Sequence, residues 1–390
     1  VIGDPRALSR RRLLRGIGGA ALGAFALDAC AARGFAPVPI ARPVPGRSRS
    51  EPIVRFANWP AYVDRAPGNP RIHPTLAEFS ARTGIQVDYS EPINSNEEFF
   101  GRIGIALAMG RSTGYDLVVL TDWLVAHLID LGLAHELSPR LVPGAARLLP
   151  RFRAWPVPDV RRYSLPWQGG FTGIVYNLRV TGRPISGMLD MLTDPALHGK
   201  VSLDTDMRDV VGLTMLELGT DPTDFSEAEF RAAIRVLGRA VQSGQLAYVT
   251  NYYMPPLIRG KLAACVGWAG DVLYAQDAYP EIKFTWPAKG GMLWTDNMVI
   301  PATAQHPENA QRLMDFYYQP SVAAQLSAYE RYLCPVIGAR EVAGKLDPGL
   351  ASQGYVFPSP GLLARGHSFK ILTPAQSAAY TSAYQSVVGL

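Results

Sequence analysis

Short apolar runs alternate along this chain with longer stretches in which every third or fourth residue is apolar. Ile53 to Ala57 is one such run, Thr75 to Arg82 has helical spacing and is closed by Gly84, and Ile85 to Tyr89 is strand-like again. Glu97 to Met109, closed by Gly110, and Tyr115 to Leu120 repeat the alternation. Period-3.6 segments set between short strand-like runs predict helices alternating with strands, each helix stopped by a glycine that accepts a left-handed turn. That order implies a parallel α/β sheet. A second series starts at Gly173, with strand-like Lys200 to Leu203, helices near Val210 to Leu218 and Glu227 to Ser243, and strand-like Leu262 to Trp268. Two series predict two α/β lobes, and 390 residues are enough for two cores. Sheets of this kind hold ligands at the carboxyl ends of their strands, which draws attention to Asn58, Trp59 and Tyr62 after one strand and to Thr121 and Trp123 after another.

The N-terminus follows a different pattern. Ser9 to Arg15 reads SRRRLLR and precedes the apolar stretch Ile17 to Leu27, which is too short to span a bilayer but fits the core of a signal peptide. It resembles a twin-arginine export signal. Leu27-Asp28-Ala29-Cys30 resembles a bacterial lipobox, with Asp28 departing from the usual small or apolar residue, and lipidation at Cys30 is expected; the alternative is an ordinary secreted protein cut near the alanine-rich segment. The proline- and arginine-rich stretch from Ala31 to Glu51 reads as a tether. The expected localisation is the outer face of the cell membrane.

Composition narrows the function. A chain 48% hydrophobic and 18% charged is globular. Its formal charge of +5 is concentrated at the start: residues 1–29 carry +3, residues 31–51 another +3, and the remainder about −1. A nucleic-acid binder would carry a basic face on its folded body, and this body has no such excess. Three cysteines and six scattered histidines make neither a disulfide framework nor a zinc cluster. Cys265 and Cys334 either bridge after export or are small buried residues. The Gly16 to Gly23 cluster lies inside the signal segment and follows no strand, so it is no nucleotide loop. No nucleophile elbow, phosphate loop or zinc-protease helix is present. Asp204, Asp206 and Asp209 miss a calcium loop because Arg208 occupies a ligand position and the glycine and final glutamate are lacking. Neither an enzyme nor a cofactor is expected.

What remains is a set of aromatics and carboxylates at loop-like positions: Trp59, Tyr62, Trp123, Asp206, Asp209, Trp268, Trp294, Asp296 and Tyr332. Any one of them reads as core packing or a helix cap. Together they suit a cation, since aromatic faces attract ammonium groups and carboxylates pair with them.

At these residues the chain resembles the spermidine/putrescine-binding proteins of bacterial polyamine ABC transporters. The resemblance runs from about Ile53 to Ala343 on five ordered segments: F-A-N-W-P-A-Y-V at 56–63, T-G-I-Q-V at 83–87, Y-D-L-V-V at 115–119, L-D-T-D-M-R-D-V at 203–210 and W-P-A-K-G-G-M-L-W-T-D-N at 286–297. It implies that Trp59 and Tyr62 form an aromatic wall, that Thr121 and Trp123 supply a hydroxyl and an aromatic, and that Asp206 and Asp209 are the acids of the second lobe. It further implies that Trp268, Trp294 and Asp296 grip one amine, with Tyr332 beside the hinge. Asp209 stands where a glutamate is common, Pro60-Ala61 replaces a more polar pair, and Gln168-Gly169-Gly170 also departs. The implied fold is a bilobal type II periplasmic-binding-protein arrangement, with one lobe of about 52–170 plus 297–340 and another of 171–296 plus 341–390. The implied function is capture of a linear polyamine by closure and delivery to an ABC permease, by a monomer. Another small cationic or amino-acid-like solute, or a role reporting ligand to a membrane sensor, stays open at this level.

Overall fold

The computed structural model describes residues 46–153 and 159–390. The signal segment, Cys30 and most of the tether lie outside them. Strands β1 (Ile53–Ala57), β2 (Gln86–Ser90) and β3 (Leu117–Thr121) pair in parallel, with Val54 opposite Val87 and Phe56 opposite Leu117. Helices α1 (Pro74–Thr83), α2 (Asn96–Ala108) and α3 (Asp122–Asp130) connect and follow them. Gly84 closes α1 at φ 74°, the left-handed stop its sequence predicts. Ser95 caps α2 by accepting the Glu98 amide at 3.1 Å.

The second series is also present. β5 (Val201–Leu203) lies parallel to β6 (Leu246–Val249) and to β7 (Ala264–Trp268), with α4 (Met207–Leu218) and α5 (Glu227–Gln242) between β5 and β6. Two strands join the halves. β4 (Ser164–Asn177) and β9 (Gly291–Val299) run antiparallel at the middle of one sheet ordered β2-β1-β3-β9-β4-β7-β5-β6. β8 (Ile282–Thr285) pairs with β4, and β10 (Gly366–His367) with β9. All 14 residues of β4 are buried, as a strand covered on both faces must be.

The sequence reading starts its second series at Gly173 and does not find β4, whose Gly169, Gly170 and Gly173 weaken any strand signal. These glycines serve close approach: a methyl group at 170 would meet the Trp294 ring, and one at 173 the Thr285 carbonyl. Side chains of the first series pack into one core that takes in Leu313, Phe316 and Leu333. That core also holds Ala343, Leu350, Val356 and Leu363, so residues 343–363 pack there, although the sequence reading assigns everything after 340 to the second lobe. The second core gathers Val201, Val211, Leu237 and Val266 with Phe369, Tyr380 and Tyr384, the last two from the C-terminal helix (Pro374–Val388). Cys265 and Cys334 are free and buried, Cys334 in the first core and Cys265 in a small cluster around Tyr253. The bridged alternative is therefore not adopted.

Candidate functional site

A cavity of about 1000 Å3 opens between the two cores, and all ten side chains singled out by sequence border it. Strand alternation explains how β9 serves it. Residues two apart on a strand share a face, so Trp294 and Asp296 point into the cavity while Thr295 and Asn297 point away. The outward pair is fixed by Asp122 of α3, which accepts the Thr295 amide at 2.8 Å, the Thr295 hydroxyl at 2.5 Å and the Asn297 amide at 2.7 Å. Asp122 was not singled out, yet it sets the orientation of the strand carrying Asp296.

Asp296 accepts two hydrogen bonds from the first half. The Thr121 hydroxyl, at the end of β3 directly across the ladder, donates to Oδ1 at 2.6 Å, and the Tyr62 hydroxyl donates to Oδ2 at 3.1 Å. Tyr62 reaches this position through a turn in which Asn58 accepts the Trp59 amide at 2.8 Å and Ala61 takes a left-handed φ of 59°. A non-glycine residue there is uncommon. Trp59 fixes its indole by donating to the Val119 carbonyl at 3.1 Å. Burial outweighs these bonds and pushes the Asp296 carboxyl up to about 7.

Asp209 holds the corresponding position on the second half, in the first turn of α4. Its Oδ2 accepts from the Thr172 hydroxyl at 2.7 Å and from the Trp268 indole at 3.2 Å. Trp294 in turn donates to the Thr172 hydroxyl at 3.0 Å, which links two aromatic walls and one carboxyl. Burial, assisted by neighbouring Asp206, raises Asp209 to about 7 as well. Asp206 caps α4 by accepting the Arg208 amide at 2.8 Å. Tyr332 lies edge-on to Tyr62 with ring centres 6.0 Å apart, 5.7 Å from the Trp294 ring, and donates to Asp271 at 2.6 Å.

Three features of the cavity were not found by sequence reasoning. The Arg208 guanidinium, judged only as an obstacle to calcium, stacks 3.8 Å from the centre of the Trp123 ring, so a protein cation covers the aromatic face expected to meet the ligand. Arg208 also donates to Ser377 at 2.9 Å and lies 3.9 Å from Glu97 of α2, so it touches both halves. Asp271, in the first turn of α6 (Ala269–Ala275), is a buried acid on the cavity wall, clasped by Tyr253 and Tyr332 and raised by burial. Its position in W-A-G-D reads as ordinary helix capping, which hides it. Glu330 ends the helix α7 (Pro320–Glu330) and also borders the cavity. An acid at a helix C-terminus opposes the helix dipole, and this was the signal available in the sequence.

Comparison with known proteins bears on the family and the fold. The chain is 27% identical over 333 residues to the spermidine/putrescine-binding periplasmic protein of Escherichia coli K12, covering 85% of this chain and 90% of that protein. Among solved structures, a putative spermidine/putrescine ABC transporter protein from Listeria monocytogenes superposes with a TM-score of 0.74 at 24% identity, covering 86% of this chain and 99% of that one. The TpPotD lipoprotein of Treponema pallidum gives 0.73 at 20% identity, covering 87% and 100%. These two likenesses establish the bilobal periplasmic-binding fold. Since residues 75–345 also match the sequence profile of the family described as Bacterial extracellular solute-binding protein, the chain belongs to that family.

Proposed function

We propose that this protein is the extracytoplasmic solute-binding component of an ABC importer, capturing a linear polyamine of the putrescine and spermidine class and passing it to the permease. The observation that carries this reading is the pair Asp209 and Asp296, buried carboxyls on α4 and on the joining strand β9 that border one aromatic-walled cavity. A polyamine places an ammonium on a carboxylate at each end and lays its methylenes on ring faces between them. Among the described residues, seven acids border that space against one cation, Arg208, which disfavours an anion. Binding makes and breaks no covalent bond, so the work of the site is selection and closure.

The ligand set is the ten residues, with Asp271 added and Trp123 contributing what Arg208 leaves uncovered. The moving bodies are proposed as 52–170 with 297–363, and 171–296 with the remaining C-terminus, the first boundary following the packing of its core. Export by the twin-arginine signal and a lipid anchor at Cys30 belong to the same reading, with the protein acting as a monomer. Cys30→Ser should then move it from the membrane fraction to the soluble fraction.

Calorimetric titration of the purified protein with putrescine, spermidine and spermine, with glutamate as an anionic control, tests the ligand class. Saturable binding of at least one polyamine and none of glutamate is expected. Binding of glutamate with no response to any polyamine would overturn it.

A further inference from the structure

Glu330 presents a buried carboxyl oxygen that the fold leaves without a hydrogen bond. It is 7% exposed, its Oε1 has no hydrogen-bond partner, and it ends a helix, where a negative charge meets the negative end of the dipole. Its electrostatic neighbours are mostly acids: Asp64, Glu91 and Asp271 oppose its ionisation, and burial opposes it more. Arg65 is the cation that acts on it, and Arg65 is engaged by both oxygens of Glu91 at 2.9 and 2.7 Å. Asp64 is likewise occupied, by Thr75 and by Gln325 at 2.9 Å. A buried acid left unpaired costs stability, so a fold without use for it would be better with an apolar residue there.

The cavity supplies the use. Glu330 borders it beside Tyr62, Asp271 and Tyr332, and the Tyr332 phenol is influenced by Asp271, Glu330 and Asp296 together. This part of the wall carries three carboxyls, whereas Arg208 supplies a positive charge against Trp123. We infer that Glu330 is a ligand-binding residue that, with Asp271, forms a carboxyl pair receiving a primary ammonium of the captured solute. The inference rests on the polyamine reading and adds a residue to it: one terminal ammonium of the ligand lies toward Tyr332, away from Arg208. An entering ammonium supplies the missing counter-charge and favours the ionised form, so Glu330 gives up a proton as the ligand binds.

The test compares the full chain with Glu330→Gln and Glu330→Leu, titrated with putrescine in two buffers of unequal ionisation enthalpy, alongside ligand-free melting. The Gln variant is expected to bind at least tenfold more weakly and to release fewer protons, with a ligand-free melting temperature no lower than the parent's. Glu330→Leu should bind as weakly and melt higher, because it removes the unpaired group. Binding by the parent that Glu330→Gln retains within threefold, with an unchanged proton count, overturns this inference alone. A lower ligand-free melting temperature with affinity retained also overturns it, since Glu330 would then serve Arg65 and the fold. Absence of putrescine binding by the parent overturns the inference, and only if spermidine and spermine also fail to bind does the polyamine reading fall with it.

Discussion

Asp296 and Asp209 titrate near neutrality in the ligand-free protein, which makes binding sensitive to pH. Asp296 faces Asp122 and Asp206 with the Thr121 and Tyr62 hydroxyls, and Asp209 faces Asp206 and Asp296 with Thr172 and Trp268. Each carboxyl is pushed up to about 7, so an ammonium that pairs with it must displace a proton. Polyamine affinity should therefore fall as pH drops below about 7, with protons released on binding, as calorimetry in paired buffers would register. An affinity independent of pH between about 6 and 8 would mean that the carboxyls are already ionised. The ligand-free protein should show the opposite trend. Groups that bind protons more tightly folded than unfolded contribute fully below about pH 4, and that contribution is lost as pH rises through about 7. Its melting temperature should fall over this window while the increment given by ligand grows. Removing one anchor is a larger change. With a desolvated ammonium left without its counter-charge, Asp296→Asn should cost about 3–5 kcal/mol, or roughly two to four decades in affinity. Binding within threefold of the parent would place the anchor elsewhere.

At the level of elements, the start of α4 performs three tasks within one turn: Asp206 caps, Arg208 reaches across the cleft and Asp209 faces the cavity. Arg208 ties the halves through Trp123 and Glu97, so Arg208→Met, which keeps much of the packing, should open the closed form faster. A desolvated cation–π contact is worth about 1–2 kcal/mol, and polyamine release followed by tryptophan fluorescence should accelerate by roughly five- to thirtyfold. An unchanged release rate would show that Arg208 is not a tie. The same helix illustrates what the sequence made legible. Its amphipathic spacing announced α4 from Val210, and the glycine stops at Gly84 and Gly110 placed α1 and α2 within a residue or two. β4 stayed hidden because its glycines serve contact with Trp294 and Thr285 rather than strand propensity, and Pro166 weakens the strand signal further. Asp209 and Asp296 were legible through their neighbours in recognisable segments. Asp271 stands at a helix start, where an acid has an ordinary explanation, Glu330 offers only the weak signal of an acid at a helix C-terminus, and only the folded cavity brings them together.

For the whole molecule, β4 and β9 join the two halves within one sheet, and the chain crosses once more between Leu363 of the first core and Phe369 of the second. Saturating polyamine should reduce the radius of gyration in solution scattering, and an unchanged profile under tight binding would rule out capture by closure. The central position of β9 also governs how the protein is built. β3 pairs with it at Thr121 and Asp296, positions 175 residues apart. While the chain is being made, the first three strands and their helices are complete long before their antiparallel partner exists, and the inner edge of β3 stays open for that interval. Closing so long a loop is slow, and an open edge invites pairing with other chains. The contact that seats the Asp296 carboxyl is thus long-range in sequence, so a nascent or truncated chain ending before residue 296 lacks that anchor and keeps an edge in need of protection.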